Sequence, residues 1–137
     1  MKIYAIGSGE PLMKEIPDVL PEAGLFVTCR TGDVRELAER FAWDESTVSE
    51  CVSADEFIRY TAYDGYDYIS LIHMESVNNT IAQHEINLFV SNQYLVMVLP
   101  EQAGERLDEL ESAMSDLVTN TDAKPNSINR LYYIILN

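Results

Sequence analysis

Residues 58–99 constrain the fold most, because they contain a series of β-forming segments joined by short polar turns. Asp64-Gly65, Asn78-Asn79 and Ser91-Asn92-Gln93 are turn sequences, and the segments between them are rich in Tyr, Ile, Val and Leu. Turns this short join antiparallel neighbours. We therefore predict four strands, the last three forming an antiparallel meander, over residues 58–62, 66–74, 84–90 and 94–99.

The N-terminal part carries further strand signals. Short apolar pieces at residues 1–6 and 12–16 flank the stretch Gly7-Ser8-Gly9-Glu10-Pro11, whose composition forces a turn, so we predict an opening hairpin. Residues 25–29 (Leu-Phe-Val-Thr-Cys) are rich in β-forming side chains and bounded by glycines. This pattern predicts a buried strand inside the sheet.

Two short helices are predicted next. Asp33 stands three residues before Glu36, the spacing of a capping box, and apolar residues follow at helical spacing to about Phe41. Asp44 is the candidate N-cap of the second helix. Its predicted apolar face consists of Val48, Cys51 and Val52, and its predicted outer face, toward solvent or a partner, of Glu45, Ser49 and Glu50.

The C-terminal part is predicted to be helical. After Pro100, apolar residues recur at helical spacing and predict an amphipathic helix of about five turns with a charged outer face. They are Leu107, Leu110, Met114, Leu117 and Val118. A last helix, apolar nearly all round, is predicted from Asn126 or Ser127, and because Asn137 offers no C-cap we expect the chain to stop inside it. Residues 1–137 therefore read as one α+β domain, with helices packed on a mixed, largely antiparallel sheet.

The charge balance narrows the possible partners. The chain has 23 acidic and 9 basic residues, a formal net charge of −14 and a pI of about 4.3. Nucleic acids and anionic membranes are repelled by such a surface, so we expect cations, basic protein surfaces or other copies of the chain. The longest apolar runs have six residues, whereas a membrane-spanning helix needs about 18. Cys29 and Cys51 lie in apolar settings and are predicted to be reduced packing residues.

Catalytic motifs are absent from the sequence. It contains no nucleophile elbow, phosphate-binding glycine loop or His-Glu-x-x-His motif, so we do not expect an enzyme. A tight turn at Asn78-Asn79 would place His73 opposite His84, with Glu75 two residues along on the same face. Two imidazoles and a carboxylate suit a zinc-class ion. Alternatively, the histidines mark the solvated end of a core face, and a longer turn would separate them.

Acidic residues concentrate in residues 44–75, with eight acids and one base, and in residues 101–122, with seven acids and one base. One interpretation is a solvated helix face. The other is that divalent cations with oxygen ligands balance the negative charge, which otherwise opposes a compact or oligomeric state. Mg²⁺ keeps several of its waters and binds widely spaced carboxylates, so no short motif is expected for it.

Five segments that together cover roughly residues 1–137 also follow a recognisable order. They are residues 37–41 (Leu-Ala-Glu-Arg-Phe), 43–52, 59–66 (Arg-Tyr-Thr-Ala-Tyr-Asp-Gly-Tyr), 86–98 and 130–134 (Arg-Leu-Tyr-Tyr-Ile). Their order and spacing resemble the N-terminal cytoplasmic domain of the CorA-like magnesium and divalent-cation transporters. The resemblance implies an α/β/α sandwich-like fold of the type found in the CorA soluble domain.

The resemblance also implies a function. In that family the domain belongs to a homopentameric funnel that senses intracellular Mg²⁺ at the cytoplasmic face of the membrane. In that family C-terminal stalk and membrane helices attach the funnel to the membrane, and we expect the sequence to be truncated before them. The expected role is a non-catalytic regulatory domain, with other copies of the same chain and divalent cations as partners.

A site residue follows from the same resemblance. In the family, an acid at the end of the second short helix, in a Leu-Glu-Asp-like triplet, takes part in an intersubunit regulatory magnesium site. The matching triplet here is Val48-Ser49-Glu50, so Glu50 is the expected ligand, and Ser49 departs from the family pattern. The partner acid of Glu50 would lie beyond Asn137.

Two alternatives stay open. One is a stand-alone acidic α+β protein-binding module without a membrane part. The other is a metalloenzyme that uses His73, Glu75 and His84. Stalk and membrane helices after Asn137 would distinguish the transporter domain from the first alternative, and loss of a metal-dependent signal in His84→Ala would support the second.

Overall fold

The computed structural model describes residues 1–6, 12–53, 59–102 and 104–120. This part of the chain contains seven β-strands and three α-helices. The strands are β1 (Lys2–Ala5), β2 (Leu12–Met13), β3 (Leu25–Arg30), β4 (Arg59–Ala62), β5 (Asp67–Val77), β6 (Thr80–Val90) and β7 (Tyr94–Leu99). The helices are α1 (Val34–Phe41), α2 (Glu45–Ser53) and α3 (Glu105–Asn120). The turn predicted at residues 7–11 and the last predicted helix lie outside the described residues.

The strands form one sheet in the order β2-β1-β3-β7-β6-β5-β4. Every neighbouring pair is antiparallel except β3 and β7, which run parallel with Leu25 opposite Tyr94. The opening hairpin, the internal position of β3 and the β5-β6-β7 meander are confirmed. So is the predicted fold class, an α+β domain built on a mixed, largely antiparallel sheet.

The helices cover both faces of the sheet. Along β3, Val27 packs in one core with Leu37 of α1, while its neighbour Phe26 packs in the other core with Leu107 of α3. Successive strand residues point to opposite faces, so a strand buried on both sides is apolar throughout. The result is a helix–sheet–helix sandwich, with α1 and α2 on one face and α3 on the other.

Aromatic side chains tie the α1–α2 connection to the sheet. The ring of Trp43 stacks on Phe89 with the centroids 3.6 Å apart, and its Nε1 donates a hydrogen bond of 2.9 Å to the hydroxyl of Tyr94. Ala42 ends α1 in the left-handed conformation, with φ of 57°. The chain turns there, so Trp43 points into the core and positions α2 over β5 and β6.

Two predicted details of the helices are wrong. Asp33 does not cap α1 with its side chain, because a 3-10 turn over Thr31–Asp33 leads directly into the helix; instead its Oδ2 accepts a 3.1 Å hydrogen bond from the Arg30 amide. On α2, Val52 is 39% exposed, while Thr47 is fully buried. The buried stripe of this short helix is centred on Thr47, Val48 and Cys51, which turns Val52 toward solvent.

The β5–β6 hairpin extends beyond the rest of the sheet. β4 pairs with β5 only up to Ser70, and β7 pairs with β6 only from Asn87 onward. Residues 71–77 and 80–86 therefore pair with each other in a ribbon that we call the hairpin arm. Asn78 and Asn79, with φ of 51° and 64°, form its tight turn, as predicted. The two strands extend closer to the turn than predicted. The residues of the arm are more polar than the strand segments inside the sheet, so their composition gives a weaker strand signal.

The described residues include no helix that is long and apolar enough to cross a membrane.

Candidate functional site

The carboxylate of Glu50 lies in the last turn of α2, next to the start of β4. Its Oε1 forms a 3.1 Å ion pair with Nη1 of Arg59, and both side chains are about one-third exposed. Its Oε2 is shielded from solvent and accepts no hydrogen bond from the described part of the chain. Glu50 was predicted to face solvent or a partner; its side chain is about one-third exposed and pairs with a cation of its own chain. Its role as a metal ligand stays a prediction.

A second carboxylate on the same face of the sheet, that of Glu85, also has one oxygen held by a neighbouring side chain and one that is shielded from solvent. Glu85 of β6 accepts a 3.0 Å hydrogen bond at Oε1 from the hydroxyl of Ser70, which lies opposite Arg59 across the β4–β5 pair. Oε2 of Glu85 is also shielded from solvent and has no donor in residues 1–6, 12–53, 59–102 and 104–120. We call Glu50, Arg59, Ser70 and Glu85 the α2-side carboxylate cluster.

The α2-side carboxylate cluster lies beside the core, and its charges contribute to the raised pKa values of two buried groups, Cys51 and Tyr68. Burial raises the pKa of the Cys51 thiol from 9.0 to about 12, and the charge of Glu85 adds to the shift. Burial also raises the pKa of Tyr68, with further contributions from Cys51, Glu85 and Glu50. The Tyr68 hydroxyl donates a 2.6 Å hydrogen bond to Oδ1 of Asn87. Glu50 and Glu85 therefore act electrostatically on one group and lie in the same neighbourhood.

The cluster has the chemistry of a partial cation site. Carboxylate oxygens without donors suit a hard divalent cation such as Mg²⁺. However, Arg59 already supplies a positive charge, and no group of three or more His, Cys, Asp or Glu side chains in the described part of the chain is arranged to hold a metal ion. The remaining ligands of a bound Mg²⁺ would have to be water or groups from elsewhere.

The predicted juxtaposition of His73 and His84 is present in the hairpin arm. The two residues lie directly opposite each other, with ring centroids 6.4 Å apart. Nε2 of His84 is 3.7 Å from Oε2 of Glu75. Nε2 of His73 is shielded and has no hydrogen-bond partner among the described side chains and backbone groups. The register is therefore confirmed, but within the described residues the three side chains do not form a metal-holding group. Their role as metal ligands stays a prediction.

Glu111 on α3 is a buried charged residue, although apolar spacing predicted a charged outer face for this helix. Only 10% of its side chain is exposed, and its two oxygens contact Nη1 of Arg30 at 2.9 Å and Nζ of Lys2 at 3.1 Å. The sequence does contain a signal for this burial, because Glu111 lies on the same helical stripe as the apolar residues Leu107, Met114 and Val118. The contacts anchor α3 to β1 and β3.

Several solved structures share the fold of this chain. No protein-family profile and no curated protein sequence matches the chain. Among solved structures, the complete CorA magnesium transporter from Methanocaldococcus jannaschii superposes with a TM-score of 0.67 at 14% identity, over 98% of this chain and 46% of that one. The ZntB cytoplasmic domain from Vibrio parahaemolyticus RIMD 2210633 gives 0.65 at 11% identity, over 99% and 61%. The full-length CmaX protein gives 0.66 at 12% identity, over 99% and 44%.

These similarities establish a shared fold. The chain has the α+β fold of the CorA soluble domain, and the resemblance inferred from segment order is confirmed at that level. The chain spans about half the length of the full-length structures that it matches.

Proposed function

We propose that the chain is the cytoplasmic regulatory domain of a CorA-like transporter of magnesium and other divalent cations. The observation that carries the proposal is the shared fold over 98% of the chain with a structure of a magnesium transporter. The net charge of −14 supports it, because a strongly acidic domain that assembles with copies of itself requires cations between the copies. In this proposal the domain lies at the cytoplasmic face of the membrane, forms part of a pentameric funnel and has no catalytic role.

Glu50 is the proposed contribution of this chain to Mg²⁺ sensing. Its side chain is about one-third exposed and is held at Oε1 by Arg59, so a carboxylate that leaves this contact could bind an ion at a subunit boundary. Bound Mg²⁺ would link neighbouring subunits and stabilise a closed funnel, and loss of the ion would restore repulsion between acidic surfaces. Arg59 would then hold Glu50 in the ion-free state.

The first experiment is to read the gene beyond the codon for Asn137. The proposal expects a long charged helix, two apolar segments of about 20 residues, and a Gly-Met-Asn motif at the end of the first. A stop codon directly after Asn137 would refute it and would leave the stand-alone acidic protein-binding module.

The second experiment tests Glu50 in the full-length protein. Protection of the funnel from protease is measured against Mg²⁺ concentration for the wild type, Glu50→Ala and the control Glu45→Ala. Glu45 lies on the same helix with 75% of its side chain exposed. We expect Glu50→Ala to raise the Mg²⁺ concentration needed for protection and the control to leave it unchanged. Equal midpoints in all three proteins would remove Glu50 from the mechanism.

A further inference from the structure

The two faces of the hairpin arm differ in exposure. On the face that continues toward α3, His73, His84 and Glu75 are half-buried. On the opposite face, which continues toward α2, Met74 and Ile81 are 63% and 68% exposed. They are diagonal neighbours, because Met74 pairs with Gln83 and Ile81 with Ser76. We call this surface the bare arm face.

The bare arm face is an extension of a surface that helices cover elsewhere. Along the rest of the sheet, α1 and α2 bury the same face, whereas beyond Glu85 the side chains of the arm reach solvent. A two-stranded ribbon is only marginally stable in water, and sheet faces with apolar side chains are normally covered by a helix or another sheet. The geometry therefore favours a helix that continues the α1–α2 layer.

The charge of a helix that would cover the bare arm face follows from the residues beside that face. Glu85 lies on the same face of β6 four residues from Ile81, about 13 Å along the strand. Its Oε2, like that of Glu50, is shielded from water and has no donor among the residues that the structure describes. The Glu85 side chain as a whole is half-buried, so its negative charge lies at the border of the bare arm face and is complemented by a Lys or Arg side chain. The net charge of −14 favours the same kind of partner.

We propose that the bare arm face is a docking site for an amphipathic, basic helix. Apolar residues of that helix pack on Met74 and Ile81, and a Lys or Arg near its other end pairs with Glu85. A span of 13 Å corresponds to about nine residues of helix, which sets the separation between the apolar and basic groups. The proposal does not depend on Mg²⁺ sensing, and either one can fail without the other.

The test uses the whole chain and two synthetic helical peptides longer than about 15 residues. Both carry Leu residues along one stripe at one end; one has Lys and the other Glu at the opposite end. Binding is measured by isothermal titration calorimetry. We expect the Lys peptide to bind with a dissociation constant below about 100 μM and the Glu peptide at least tenfold more weakly.

Variants on the exposed surface identify the site. Met74→Ser combined with Ile81→Ser should weaken binding of the Lys peptide at least tenfold, and Glu85→Gln at least threefold. Matched controls are Val19→Ser, at an 85% exposed position, and Glu45→Gln; both should bind as the wild type does. The proposal is overturned if the Lys peptide does not bind. Equal binding of the two peptides, or unchanged binding in the Met74/Ile81 variant, overturns it too, because general charge attraction would then explain the result.

Discussion

The ion pairs of Glu111 provide a sharp test of how α3 is held on the sheet. Glu111 is 10% exposed at its side chain, and Arg30 and Lys2 are 29% and 55% exposed. The Lys2 contact is largely solvated and should contribute less than about 1 kcal/mol. The Arg30 contact is short and better shielded, so it should contribute about 1.5–2 kcal/mol.

From these contributions, Glu111→Ala should lower the free energy of unfolding by about 2 kcal/mol. Loss of both pairs costs about 2.5 kcal/mol, and the higher helix propensity of alanine returns a few tenths. The melting temperature should fall by about 6 °C, given the size of the chain. Urea denaturation followed by the fluorescence of the single Trp, Trp43, measures the change.

Glu109→Ala is the matched control, because Glu109 is exposed on the same helix. It should change stability by less than about 0.5 kcal/mol. A double-mutant cycle of Glu111→Ala with Arg30→Met should give a coupling energy of about 1 kcal/mol or more. If Glu111→Ala unfolds at the same urea concentration as the control, the anchoring role of the buried pair is refuted.

Three further predictions concern the core and the arm. The pKa of Cys51 rises from 9.0 to about 12 on folding, so the folded chain keeps a thiol proton that the unfolded chain releases, and stability present below pH 9 is lost as the pH rises toward 12. The decline between pH 8 and pH 10 in urea denaturation should be smaller in Cys51→Ala; an unchanged decline would exclude this thiol as a source. Asn79→Val should cost about 1–2 kcal/mol because φ is 64°, whereas Asn79→Gly should not destabilise, and equal stability of the two variants would contradict the strain argument. Trp43→Ala should cost about 3–5 kcal/mol by removing the stack on Phe89, measured by circular dichroism, and a loss below 1 kcal/mol would show that the stack contributes little.

Much of the fold was predictable because its determinants are local. The Asn78-Asn79 turn brought His73 opposite His84 as expected, since a tight turn sets the register of both strands. The helices α1, α2 and α3 were located by apolar spacing. The side chain of Asp33 was misassigned because an Arg30 amide and a helix N-terminus compete for the same carboxylate, and spacing alone does not decide between them.

The candidate site was less predictable. The family resemblance predicts Glu50 as a metal ligand. It gives no indication that Arg59 pairs with Glu50 or that Glu85 lies nearby. Glu50 lies on α2, Arg59 on β4 and Glu85 on β6. Which charged side chains meet depends on how α2 packs over β4, β5 and β6, and that packing has no signature in local spacing.

Residue order was thus enough to locate the strands, the turns and the helices, and to give the chain its acidic character, because each depends on neighbours a few residues apart. The tertiary structure decided three other features: the parallel pairing of β3 with β7, the length by which the hairpin arm extends beyond the sheet, and the ion pairs of Glu111. The Arg30–Glu111 contact joins residues 81 positions apart, and no periodicity specifies such a contact. It forms because burial of two apolar faces brings α3 over β3, and the charged groups then pair where water is excluded.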